Sequence, residues 1–461
     1  MPSAPHKLIE LEWPGFGGPA HAPEIPLAEY ETRLDALRAA MDQRGLTHLV
    51  IYGDREHFAN LAWLTHFDPR FEEALLIVGR DGAPLLLTGN ECMSYLPVSS
   101  LYKAGKLRAE CYQPFSLLDQ PRDASRRLEE ILNGESIGEG SRIGCAGWKY
   151  YGEPHALDLP AYIADTLRSL ASHHAVTDAT DLLMHPGYGL RTSSSAAEIA
   201  FFEYTNVKAS EAMKRIHFAV REGMTDHELM EHARYDGLPL SCHMTLKAGP
   251  DRISLSSARG QRVERGYPLS GNIAYWGANI CRAGWAAESA LDLRPAARDY
   301  IPAFAGPYFE AMAEWLDLLR IGTPGGALHD LIQQRLPFEK YGIFLNAGHL
   351  IHYDEWVSSP VYAGSRIPIR SGMVFQTDVI PSSPVYFSTR MEDGLAIADE
   401  ALRRQIATEY PECHARIEAR RRFASEALGL HLPAEHLPLS NMFGIVPPFL
   451  LRPNSVFALE H

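Results

Sequence analysis

The stretch AGHLIHYDEW, residues 347–356, packs two histidines, an aspartate and a glutamate into ten positions. Imidazoles and carboxylates that close together can hold a divalent transition ion, or they can move protons without one. Two later apolar stretches carry acids as well: Asp378 in VFQTDVIP, and Glu392 with Asp393 in RMEDGLAI. An unpaired buried carboxylate costs several kcal/mol. Asp378 and Glu392 are therefore expected to line one pocket with His349, the alternative being structural neutralisation by Arg390 or Arg370. A fourth stretch, LSGNIAYWGANICRAGW, contains no acid and offers Asn272 and Arg282. A cation at Arg282 would fill the electrostatic niche of an ion and pair with Asp378 and Glu392. His243, in SCHMTLKAG, either lines the same pocket or is a satisfied core histidine. Trp276, Trp285 and Trp356 form either an aromatic wall or part of the core.

The elements that must position these groups fall into two halves. In the first, LAEYETRLDALRAAMDQRGL has helical apolar spacing closed by Gly45, and THLVIYGD reads as a buried strand. EHFANLAWLTHF reads as a short helix, and EALLIVGRDGAPLLLTG as a hairpin turned at Asp81-Gly82. A helix over roughly 123–134 and a strand at RIGCAGW follow, giving a three-layer α/β domain. A boundary falls near 188. Beyond it Ser193–Ser195 cap a long helix running to Val220, and Thr225 or Asp226 caps another. Helices are expected over 296–320 and 325–335, with a last one broken at Pro411. The expected domains are 28–188 and 189–461, preceded by an extended arm over 1–27. The final LEH, Leu459 to His461, reads as a tag remnant outside the fold.

Length and charge narrow the function classes. A chain of 461 residues exceeds one ordinary core. The formal charge is -14, with no Lys/Arg stripe, which argues against nucleic acid or an anionic membrane as partner. No apolar run approaches about 18 residues, so no membrane span or signal peptide is expected. Six scattered cysteines without a C-x-x-C pair suit a reducing, cytoplasmic compartment.

Four motifs, in order, resemble those of the creatinase/aminopeptidase P superfamily, the pita-bread fold. LRTSSSAAEIAFF is similar to its linker helix and AGHLIHYDEW to its Gly-His run. IRSGMVFQTDVIP and RMEDGLAI resemble its two acid-bearing strands. The resemblance spans roughly residues 27–425. It implies an α/β creatinase-like N-terminal domain followed by an α+β pita-bread domain. Metallopeptidases of this superfamily hold two ions with two aspartates, a histidine and two glutamates. The resemblance places His349, Asp378 and Glu392 at three of those positions, but Asn272 and Gly284 at the aspartates. With two ligands lost, no metal and no cofactor is expected.

Creatinase, a metal-free member, cleaves a C–N bond of a small guanidino acid with a histidine base. By resemblance to it, Glu288 corresponds to a catalytic glutamate and Arg70 to a carboxylate-binding arginine. Its base histidine is absent from DRISLSSARGQRVERG, which offers Ser254, Ser256 and Ser257. The base must then come from His349, His352 or His243. The expectation is a hydrolase cleaving a C–N bond of a small carboxylate-bearing substrate by metal-independent acid/base catalysis. Its catalytic residues are His349, Asp378, Glu392, Glu288 and His352. Its substrate-binding residues are Arg70, Asn272, His243 and Arg282. The alternatives are a metal-dependent Xaa-Pro-type peptidase or lyase with altered ligands, and a non-catalytic small-molecule-binding protein. The resemblance also implies a homodimer.

Overall fold

A computed structural model describes residues 5–250 and 255–460. Ser254, one of the three serines considered above, and His461 lie outside the described residues. The chain divides into two compact units, 25–192 and 1–24 together with 193–461.

The 25–192 unit is built on a six-stranded sheet. Its spatial order is Arg108–Cys111, Leu85–Thr88, Ala74–Gly79, His48–Gly53, Ile143–Ala146, Val176–Asp178. Its central strands are apolar on both faces, so both must be covered. Val50, Leu75, Ile77 and Leu87 pack against Ile131 and Leu132 of helix Leu128–Gly134 and Ile163 and Leu167 of helix Ala161–Ala171. The antiparallel pair Ala74–Gly79 and Leu85–Thr88 is joined through Asp81-Gly82, with Gly82 at φ +74°. The helix read over 123–134 starts only at Leu128.

The second unit is helices around small sheets. Helix Ala196–Ala219 starts with a capping box in which Ser195 and Glu198 satisfy each other's backbone N–H groups. Strands Thr245–Ala248, Pro268–Tyr275 and Ala278–Trp285 make one antiparallel sheet. His349–Leu350, Val374–Gln376, Gly394–Ile397 and His436–Pro438 make another. A backbone bridge between Cys281 and Glu392 ties the two together.

The arm and the tail depart from the sequence reading. His6–Glu10 is a strand paired antiparallel with Ser455–Leu459, so Leu459, expected outside the fold, is part of it. The last helix is two, Glu400–Glu409 and Pro411–Glu426, because proline ends one and starts the other. Among the described residues no helix is long and apolar enough to cross a membrane. All six cysteines are unpaired.

Candidate active site

A two-residue turn at Trp276-Gly277 fixes the geometry of the first sheet. Gly277 has φ +74°, and a Cβ there would lie 1.9 Å from the Phe202 ring. The turn sets Tyr275 opposite Ala278 and Asn272 opposite Cys281. Since side chains alternate between faces, Ser270, Asn272, Asn279 and Cys281 share one face. That face lines a cavity of about 520 Å³, together with Glu355, Trp356, Asp378, Arg390 and Glu392. Gly284 lies on the opposite face, where an added Cβ would meet Pro448 O at 2.8 Å. It is therefore not at the second aspartate position, contrary to the sequence reading. Asn279 and Cys281 approach Glu392 from the cavity face.

His349 is aimed by its neighbours. Gly348, at φ +101°, leaves room for the Trp315 ring, which a Cβ would approach to 2.7 Å. Trp315 Nε1 donates to Ala347 O at 3.0 Å. The His349 ring stacks on Trp356 at 4.1 Å between centroids. Its Nε2 stands 3.0 Å from Glu355 Oε1, outside hydrogen-bond alignment, and 3.7 Å from Asp378 Oδ2. Burial alone would lower the imidazole's pKa, but the charges of Glu355 and Asp378 outweigh it and hold it above its usual value. The ring is fully buried and does not line the cavity. His349 therefore faces the site across Glu355 and Asp378, the two cavity acids its Nε2 approaches.

Asp378 and Glu392 both line the cavity with their carboxyls buried. Burial raises both, and for Glu392 the charge of Asp378 adds the next largest push, holding it well above the usual carboxylate range. The Asp378 charge thus disfavours a second charge on Glu392. Glu392 Oε1 accepts from Asn279 Nδ2 at 2.7 Å, and Asn279 Oδ1 accepts from Asn272 Nδ2 at 3.1 Å. Asn272 Oδ1 in turn accepts from Thr245 N at 3.1 Å and from the Thr245 hydroxyl. This chain of amides holds Glu392 and uses every polar atom of Asn272.

The cation among these acids is Arg390. It lies deep in the unit with its accessible surface opening on the cavity, and its Nη1 approaches Cys281 Sγ at 3.1 Å. Burial works against its charge, but Cys281, Glu392 and Asp378 together hold the guanidinium above its usual pKa. Among the described residues its Nε has no hydrogen-bond partner, and neither does Asp378 Oδ1. The sequence reading gave this niche to Arg282. Arg282 instead spends its donors on Asp393 Oδ2, Met442 O, Ile445 O, Glu392 O and Cys281 O, all at 2.8–2.9 Å. It is a strut that fixes the backbone on either side of Glu392.

Two more expectations, those for His352 and Glu288, are corrected. His352 is buried and shares the capping-box glutamate, with Nε2 2.9 Å from Glu198 Oε1 and Nδ1 accepting from Tyr353 N. Its role is to lock the helix start. Glu288 is a surface residue paired with Arg265 at 3.1 Å. Arg70 belongs to the 25–192 unit, where it lies over the Tyr95 ring and donates to its hydroxyl at 2.6 Å, with Asp68 3.6 Å away. His243 does line the cavity, at an exposed position. Of the three tryptophans considered, only Trp356 reaches the cavity.

The cavity's donor set fits a divalent pair poorly. Asn272, Asn279 and Cys281 stand where anionic oxygens are needed, and Arg390 already supplies positive charge. Among the described residues, the one group of three His, Cys, Asp or Glu donors converging within 4.8 Å is His155, His173 and His174, in the other unit. His349, Asp378 and Glu392 do not converge in this way.

No family model and no curated protein matches the sequence. Solved structures do match in fold. The prolidase from Pyrococcus horikoshii superposes with a TM-score of 0.61 at 15% identity, covering 80% of this chain and 95% of its own. Dipeptidase PepE from Mycobacterium ulcerans gives 0.60 at 19% identity, covering 81% and 95%. The N-terminal domain of FACT complex subunit SPT16 from chickpea gives 0.57 at 14% identity, covering 81% and 95%. The chain thus has the two-domain α/β pita-bread fold of the prolidases, and that fold is also found in the SPT16 N-terminal domain. Identity at this level establishes the architecture, and the chemistry must be argued from the cavity.

Proposed function

We propose that the cavity is a metal-independent hydrolytic site for a C–N bond in a small amino or guanidino acid. The observation that carries this reading is the Arg390 guanidinium enclosed with Asp378, Glu392 and Cys281. It offsets the acids' charge from within the chain, where a neutral amide network replaces the anionic donors a metal pair requires. Three carboxylates, Glu355, Asp378 and Glu392, suit the cationic end of such a substrate. Lys247, at the cavity wall, suits its carboxylate.

In this reading the Asp378–Glu392 pair does the proton work. The ionised member takes a proton from the attacking water, and the protonated member gives one to the departing nitrogen. His349 and Glu355 keep Asp378 oriented. His243 stands at the rim as a second proton acceptor.

The test is turnover of amino, guanidino and Xaa-Pro substrates by the purified full-length chain, with and without chelator. Turnover that survives chelation and is abolished by Glu392→Gln supports the reading; turnover that requires an added divalent ion rejects it. The fold likeness to prolidases and dipeptidases favours a metal-dependent Xaa-Pro peptidase as the second reading.

A further inference from the structure

Away from the cavity, three imidazoles of the 25–192 unit converge. His155 sits in the loop before helix Ala161–Ala171, and His173 and His174 open the 3-10 turn His173–Ala175 just after it. Their ring centroids are 5.0, 5.6 and 5.6 Å apart, and one nitrogen of each lies within 4.8 Å of the other two. His155 Nδ1 is 3.0 Å from Val176 O. A carbonyl only accepts, so Nδ1 carries the hydrogen and Nε2 keeps its lone pair. A ring nitrogen anchored on a backbone carbonyl is how proteins fix a metal-binding imidazole. His173 and His174 are exposed, so an ion and its water can reach them.

We propose that His155, His173 and His174 form a binding site for one borderline divalent transition ion, of the Zn²⁺ or Cu²⁺ class, with water completing the coordination. Imidazole nitrogens suit these ions and leave Mg²⁺ and Ca²⁺ unbound. Tetrahedral coordination at about 2.0–2.1 Å brings ligand nitrogens to about 3.3 Å from one another. The nitrogens must close by at most about 1.5 Å, which side-chain rotation of the two exposed histidines supplies. Arg168 works against the ion, since its Nη2 donates to His155 O at 3.0 Å and places a positive charge nearby. The site is therefore weaker than a closed thiolate site. Bound there, the ion would tie the loop carrying His155 to the turn that leads into strand Val176–Asp178.

The experiment is calorimetric titration of Zn²⁺ into the metal-stripped full-length chain, with Cu²⁺ electron paramagnetic resonance alongside. The expected result is one ion per chain with nitrogen hyperfine splitting. His155→Ala and the surface pair His173→Ala/His174→Ala should each weaken binding at least about tenfold, while His349→Ala leaves it unchanged. The wild-type chain binding no ion would overturn the proposal. So would one-ion binding that survives the His173→Ala/His174→Ala change. An ion lost only in His349→Ala would overturn it and also the metal-free reading of the cavity, whereas failure at the three histidines alone leaves that reading untouched.

Discussion

Replacing Arg390 by methionine removes the positive charge facing Asp378 and Glu392 while keeping an unbranched stem. At an effective dielectric of 20, two unit charges about 5 Å apart attract by about 3 kcal/mol. Removing one partner of a buried charge set costs about 3–5 kcal/mol, because the remaining charge is left uncompensated. The cost should depend on pH in a definite direction. Asp378 and Glu392 already have raised pKa values in the folded chain, and losing the guanidinium raises them further. The native state of the variant then binds more protons than its unfolded state at neutral pH, so its stability falls as pH rises. One extra bound proton gives a slope of about 1.4 kcal/mol per pH unit. Urea unfolding of wild type and Arg390→Met at pH 5 and pH 8 measures this. The expected penalty is about 3–5 kcal/mol at pH 8 and smaller at pH 5. In a Glu392→Gln background it should shrink by about 2 kcal/mol. A penalty below about 1 kcal/mol, or one equal at both pH values and in both backgrounds, refutes the role given to Arg390.

Arg282→Met should destabilise the chain by about 3–5 kcal/mol through loss of the fully buried Asp393 pair, read by denaturant midpoint. Glu392→Gln should abolish turnover while leaving the fold intact by circular dichroism, since Asn279 can still donate to the amide oxygen. His349→Ala should lower kcat without abolishing it, because the ring acts through Asp378 and Glu355. Burial and the nearby Arg282 charge lower His217 to about 3, and burial lowers His436 to about 4, from 6.5. The unfolded chain takes these protons first, so stability is lost as pH falls below about 6.5. Between pH 7.5 and 5 each histidine contributes a loss of about 2 kcal/mol, and His217→Gln should remove its share from the measured slope.

Much of the fold was legible because its signals are local. The Ser195–Glu198 capping box, the Asp81-Gly82 hairpin turn and the apolar strand at 48–53 announce themselves by residue type and spacing. Asp378 and Glu392 were legible as acids in apolar strands. The cavity's other members were not, because they depend on register. Reading Trp276-Gly277 as a two-residue turn would have put Asn272 across from Cys281, with Asn279 on the same face, and would have excluded Gly284. Glu355 lay inside the first motif, yet only the bend at 351–356 returns it to His349. Arg282 and Arg390 lie beside acids in sequence or in space. Only the three-dimensional path shows that Arg282 satisfies backbone carbonyls while Arg390 faces the cavity. His352 looked catalytic because its partner, Glu198, is far away in sequence, at the start of helix Ala196–Ala219.

The most direct measurement is anomalous X-ray diffraction at the zinc and manganese edges from crystals soaked in each ion. The account predicts no anomalous peak between Asp378, Glu392 and His349, with the Arg390 side chain in clear density facing the cavity. A well-occupied ion bonded to Asp378 and Glu392, with Arg390 displaced, would contradict it.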